Sequence, residues 1–323
     1  MGTTPAGFGT SLFGNIPFYQ VSAGVATQLA NIMPPGGRVC AVVDSNGAAD
    51  HDDPSYAAMK VPTLAAALPH ARANKGDVIL VAPGHTENVA DATMLTNLKA
   101  GTIILGLVDP HKSYAPTFTF TATASQWAVS VADVQISGLR LVAGVAAIVK
   151  AINITGAGCR FEGNYVHLCD ASYDMVIGVE VGAGAHDCHI VGNDFQGEST
   201  GESTSPVIVA AVVNRTVITR NNFYCSTAGA AKGQIQINAA CLGLVIWDNT
   251  MWNGKALSTG NIEFAAAASE GVCGNNMMAQ LNNGVATAQG ILGNTTSLVR
   301  FFENRTNDEK NKNCFYTPAA LGT

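Results

Sequence analysis

The sequence predicts an all-β chain wound as a right-handed parallel β-helix, one solenoid with an N-terminal capping helix. Three observations carry that prediction: a turn signature recurring every 26–29 residues, short runs of two-residue alternation between the turns, and a glycine-rich composition poor in charge. The signature is an apolar or β-branched run, then Gly or Asn, then a further apolar residue. It occurs as Ile136-Ser137-Gly138-Leu139, Phe161-Glu162-Gly163-Asn164-Tyr165, Ile190-Val191-Gly192-Asn193-Asp194-Phe195, Ile218-Thr219-Arg220-Asn221-Asn222-Phe223, Ile246-Trp247-Asp248-Asn249-Thr250-Met251 and Val272-Cys273-Gly274-Asn275-Asn276-Met277. Aligned on the turn, positions 138, 164, 193, 221, 249 and 275 are spaced by 26, 29, 28, 28 and 26 residues. Ile104-Leu105-Gly106-Leu107 extends the series upstream, and Ile291-Leu292-Gly293-Asn294 extends it downstream.

A fixed period of this size marks a solenoid or a propeller. Propeller blades need about 40 residues for four strands, so these units are too short. Helical repeats would show apolar residues at a period near 3.6. Here the units alternate, as in Val131-Ala132-Asp133-Val134-Gln135-Ile136 and Gln234-Ile235-Gln236-Ile237. Parallel stacking of such coils buries every inward residue in one continuous core. The composition agrees: 47% of residues are apolar, 12% are charged and 34 are glycine. That balance favours strands and tight turns over helices, and a weakly charged surface promotes association.

The same numbers exclude several function classes. With a net charge of −6 and no basic stripe, nucleic acid is not an expected partner. No apolar run approaches the roughly 18 residues that span a bilayer, and no signal-peptide pattern opens the chain, so no membrane partner is expected. The eight cysteines show no C-x-x-C spacing. They read as free buried thiols of a protein made in a reducing cytoplasm. No metal and no cofactor is expected.

Along the chain, residues 1–37 carry no Asp, Glu, Lys or Arg but do carry Phe8, Phe13, Phe18 and Tyr19. These aromatics fit either local packing on their own domain or a contact arm that orders on a neighbour. The solenoid is expected over residues 38–300. Its first part holds a short strand at Val42-Val43 and a polar loop containing Asp50, Asp52 and Asp53. Those carboxylates are calcium-type ligands, but their spacing matches no calcium loop, and an acidic turn before Pro54 is the plainer reading. A capping helix is expected near 63–74, opened by Thr63 as N-cap, interrupted by Pro69 and ended by Gly76. Residues 301–323 read as a C-terminal cap or tail. Asn164, Asn193, Asn221, Asn249, Asn275 and Asn294 are the expected ladder, because Asn tolerates a sharp left-handed corner and its amide can bond the copies above and below.

The run Pro62-Thr63-Leu64-Ala65-Ala66-Ala67, with Lys75-Gly76-Asp77-Val78-Ile79-Leu80-Val81-Ala82-Pro83-Gly84-His85-Thr86-Glu87, resembles the start of pectate-lyase-like β-helix proteins, above all those of tailed bacteriophages. The Gly-Asn-x-aromatic turns match the same group, and the resemblance covers about residues 38–300. It implies the fold and leaves the activity open, since that group holds lyases, hydrolases, tailspikes and structural virion proteins. The lyases imply clustered Asp ligands beside a basic residue. Here the nearest set is Asp170, Asp174, Asp187 and Asp194 with His167, His186 and His189, and solvated loop carboxylates are the plainer reading. Asp170 or Asp174 with Glu198 or Glu202 is the nearest approach to a hydrolase pair. His85 before Thr86-Glu87 reads as a turn residue. Trp127, Trp247 and Trp252 read as core or interface rather than a sugar platform. No catalytic residue is therefore assigned. The expectation is a capsid decoration or cement protein, made in the host cytoplasm and carried on the virion surface as a homotrimer bound to the major capsid protein. The alternatives are a tailspike, a polysaccharide lyase or hydrolase, or a glycan-binding β-helix whose partners are cell-surface glycans.

Overall fold

A computed structural model describes residues 35–45, 60–197, 205–225, 233–253, 261–265, 269–280, 291–292, 298–306 and 315–316. Phe8, Phe13, Phe18, Tyr19, the Asp50–Asp53 loop, Glu198, Glu202 and Asn294 lie outside these residues. Among the described residues the chain is a right-handed parallel β-helix of about seven turns. Each coil contributes strands in turn to three parallel sheets. Sheet I runs from Lys60–Val61 and Val39–Val43 through Val78–Val81 to Leu298–Phe302. Sheet II runs from Thr86–Val89 to Arg305–Thr306, and sheet III from Trp127–Val129 to Phe315–Tyr316. Stacking therefore continues past residue 300 into the segment read from sequence as a cap or tail.

The alternation in the sequence becomes three inward columns. Sheet I stacks Ile104, Ile136, Phe161, Ile190, Ile218 and Ile246; sheet II stacks Phe118, Leu141, Val166, Phe195, Phe223 and Met251. Sheet III stacks Trp127, Ile152, Val179, Val207, Ile235 and Ile262. All of these side chains are buried. Identical neighbours pack face to face: the rings of Phe195 and Phe223 are parallel, 4.9 Å apart. Burying one such aromatic contributes roughly 1.5–3 kcal/mol. Cysteines fill small gaps in the same core, and burial pushes the Cys159 thiol up to about 11.

The helix α1 is shorter than the 63–74 span. It covers Leu64–Ala67, with the Thr63 hydroxyl accepting from the Ala66 N–H, then tightens into a 3-10 turn at Leu68–His70. Pro69 cannot donate the next helical bond, and Ala71 is already extended. Leu64, Ala67 and Leu68 are buried in the core cluster, and α1 packs against Val39–Val43 and Lys60–Val61. Glu87 accepts the Leu64 N–H at 2.8 Å and meets His85 Nε2 at 3.0 Å, while His85 Nδ1 accepts from the Ser45 N–H. With Nδ1 accepting, Nε2 is the donor toward Glu87, so the turn residue His85 is a buried clasp between segments.

Asp77, from the Gly76-Asp77 pair, is a second clasp. Its buried carboxylate takes Arg72 Nε at 2.8 Å and Nη2 at 2.6 Å, the Arg72 N–H at 2.9 Å and the Arg38 N–H at 3.2 Å. Burial alone would raise this carboxyl; the Arg72 guanidinium and N–H outweigh it and hold it below the usual carboxylate range. A depressed folded pKa gives stability that is complete above the unfolded value near 3.9 and lost as pH falls through the folded value. We expect Asp77→Asn to cost about 2–3 kcal/mol at pH 7, with the gap to wild type closing below about pH 4. Urea melts at pH 7 and pH 3 measure it, and a pH-independent gap contradicts the assignment.

Candidate functional site

The solenoid offers corners and outward faces, and each has a distinct chemistry. At the corner between sheets I and II six successive coils, starting at Gly163, use the same two-residue device. A left-handed residue comes first, at Gly163, Gly192, Arg220, Asp248, Asn275 and Glu303, with φ between 43° and 63°. A buried asparagine follows: Asn164, Asn193, Asn221, Asn249, Asn276 and Asn304. Each amide nitrogen donates to a backbone oxygen of the coil before and to the next Asn Oδ1, and that Oδ1 also accepts the preceding asparagine's backbone N–H. For Asn193 these bonds go to Phe161 O at 2.8 Å and Asn221 Oδ1 at 3.0 Å, with the N–H to Asn221 Oδ1 at 3.0 Å. The pattern holds through Asn164, Asn221, Asn249 and Asn276, and Asn304 closes it on Cys273 O at 2.9 Å.

One ladder residue is corrected. Asn275 is exposed and takes the left-handed place, donating to Asp248 Oδ1, whereas Asn276 enters the stack. The corner demands left-handed backbone first and buried amide second, and Asn can serve either place. Asn304 was missed, although it lies 28 residues after Asn276.

Among the described residues, the carboxylates Asp170, Asp174 and Asp187 each have a hydrogen-bond partner. Asp170 Oδ1 accepts the N–H groups of Ser172 and Tyr173, and those bonds hold its carboxyl below the usual range against slight desolvation. Asp174 accepts the Ala147 N–H at 2.7 Å. Asp187 forms a two-pronged pair with Arg215, whose hydrogen bond depresses its carboxyl. His186 Nδ1 accepts the Asn214 N–H, and His189 stands on sheet I, held mainly by burial below the ordinary imidazole value. No group of three or more His, Cys, Asp or Glu converges on a metal position among the described residues. The three tryptophans share no face: Trp127 is core, Trp247 lies outside sheet I and Trp252 outside sheet II.

Sheet I changes character along its outer face. Its earlier coils present Gln135, Arg160, Glu162 and His189, tied by Gln135 Nε2 to Glu162 Oε1 at 2.6 Å and Arg160 Nε to Glu162 Oε2 at 3.1 Å. Its later coils present Val217, Val245 and Val272 in one row and Thr219, Trp247 and Phe302 in the next, with Leu242 and Leu298 alongside. Leu298 is 69% exposed, Leu242 48% and Phe302 45%. Trp247 lies flat across Gly274, where a Cβ would sit 2.1 Å from the indole, and its ring is 6.3 Å from that of Phe302. Only Glu270 and Arg300 bring charge into these rows. The result is a largely apolar face, broken by Glu270 between Leu242 and Leu298 and by Arg300 beside Val272.

Sheet II carries the other organised face. One outward row reads Arg140, Tyr165, Asp194, Asn222 and Thr250, and the next reads His167, Gln196, Tyr224 and Trp252. The loop after Gly106 lays His111 across the first row, 3.5 Å from Asp194 Oδ2 and edge-on to Tyr165. The same loop, with Leu107, Val108 and Pro110, walls a groove of about 770 Å³ floored by Gly138, Gly163 and Gly192. No family model, curated protein or solved structure matches the chain.

Proposed function

We propose that this chain is a structural rather than a catalytic β-helix, a decoration or cement protein of a tailed-phage head that works as a homotrimer on the major capsid protein. The observation that carries the reading is the apolar stripe on the later coils of sheet I. Contiguous exposed apolar area on a soluble protein marks an interaction surface. A cyclic assembly covers the same stripe on every copy and leaves none exposed. The hydrogen-bonded asparagine stack suits this role, because it stiffens the rod that presents the stripe. The engaged state of Asp170, Asp174 and Asp187 also favours scaffold over catalysis, since each carboxylate already fixes a turn or a neighbouring coil.

Attachment to the shell falls to residues 1–37 in this reading, through Phe8, Phe13, Phe18 and Tyr19. Each buried aromatic would contribute roughly 1.5–3 kcal/mol, multiplied across the copies of an assembly. The experiment is a deletion of residues 1–37 tested on undecorated particles, with the protein's copy number counted in purified virions. Expected are many copies per virion, loss of particle binding on deletion, and an unchanged β-sheet circular dichroism spectrum. Absence from virions, or unchanged decoration by the truncated chain, would overturn the reading.

A further inference from the structure

The apolar face of sheet I carries one carboxylate and one guanidinium, and we propose that they pair between copies, Glu270 of one chain with Arg300 of its neighbour. The pairing rests on self-association through sheet I, proposed above, and adds what fixes the alignment of the copies. Both side chains are exposed. Glu270 stands between Leu242 and Leu298 in the row where the strands begin, and Arg300 follows Val217, Val245 and Val272 in the middle row. Glu270 is opposite Leu298, so Arg300 lies one coil on and two residues further along.

Within one chain the two charges are near each other but unmatched. Among the described residues no ion pair includes either of them. By contrast, Arg160 holds Glu162 at 3.1 Å on the earlier coils, and Arg215, at the border of the sheet, holds Asp187 at 2.7 Å. Exposed on a lone chain, Glu270 and Arg300 stay hydrated. Closing the apolar face against a sister copy strips that water, and a charge buried without a counter-charge opposes association. A contact through this face therefore needs its charges matched, and the face holds one of each sign.

Cyclic symmetry supplies the match. In a ring the contact is heterologous, so one flank of the face meets a different part of the same face on the next copy. Glu270 and Arg300 lie in different rows, and such a contact uses one of each at every interface with none left over. Packing the Glu270 row on itself would instead set carboxylate against carboxylate. The charges also select the alignment along the solenoid. Coils rise by about 4.8 Å, and the repeated valines at 217, 245 and 272 give similar apolar contact after a slip of one coil. After such a slip both charges would face aliphatic side chains without a partner. Matched charges in one register and stranded charges in the others discriminate between alignments that apolar contact alone leaves nearly equal. Arginine suits the task, because its planar fork holds a carboxylate by two parallel N–H bonds.

The test is a charge exchange in the full-length protein. Sedimentation equilibrium across a wide concentration range compares wild type with Glu270→Arg, with Arg300→Glu and with the doubly reversed chain. Each single reversal sets like charges together and should weaken association about tenfold or more. The double reversal restores the pair with its signs exchanged and should return association to within about threefold of wild type. All four chains should share one circular dichroism spectrum, because both side chains are exposed and the core is untouched. Single reversals that associate as wild type does, or a double reversal that loses as much as the two singles combined, would overturn the pairing and leave assembly through sheet I standing. A wild type that stays monomeric throughout would overturn both.

Discussion

Replacing Asn276 with alanine should cost the protein about 2–6 kcal/mol, while replacing its neighbour Asn275 with glycine should change stability by no more than about 0.5 kcal/mol. The two residues are adjacent and chemically identical, so the contrast isolates the corner geometry. Asn276 Oδ1 accepts the Asn249 N–H at 3.0 Å and the Asn249 amide at 2.9 Å, and its own amide donates to Ile246 O at 3.2 Å. Alanine leaves the Asn249 N–H and the Ile246 carbonyl facing a dry space. Each buried group stripped of its partner costs about 1–3 kcal/mol. Asn275 stands outside, at φ 49°, where its side-chain amide donates to the exposed Asp248. Glycine takes that backbone freely, as Gly163 and Gly192 do at the same corner. Urea melts of both variants measure the difference. Equal losses would mean that the buried stack does not run through Asn276.

Much of this architecture is legible in the sequence because a solenoid repeats its constraints. Inward residues Phe195, Phe223 and Met251 recur at the coil period, and so do the outward residues Tyr224 and Trp252 that follow two of them. The alternation of strands is enough to assign their faces. What the period does not resolve is a choice between like neighbours. Asn275-Asn276 fits the turn signature in either register, and the choice falls on burial of the amide, a property of the folded corner. Glu303-Asn304 continues the 28-residue spacing beyond residue 300, where composition changes and the repeat is easily lost. His111 leaves no periodic trace at all, since it reaches sheet II from a loop belonging to a different coil. The stop of α1 at Ala67 is the opposite case: Pro69 is plainly visible, but the flanking Ala and Leu favour a longer helix until the tertiary contacts of Leu64 and Leu68 are known.

The second large effect concerns assembly. Val245 and Leu298 lie on the outer side of sheet I, one half-buried and one 69% exposed, so a charge at either place stays solvated in a lone chain and leaves the core untouched. In an assembly closed through this stripe, the same charge would be stripped of water against Val217, Val272 and Trp247 of a sister copy. Removing a carboxylate from water without a partner costs several kcal/mol per copy, enough to dissociate a micromolar trimer. Sedimentation equilibrium of wild type beside Val245→Glu and Leu298→Glu is therefore the most direct measurement. Wild type should sediment near three times its chain mass of 33.3 kDa, and both variants at that single-chain mass with unchanged circular dichroism. A monomeric wild type, or variants that remain trimeric, would contradict assembly through sheet I.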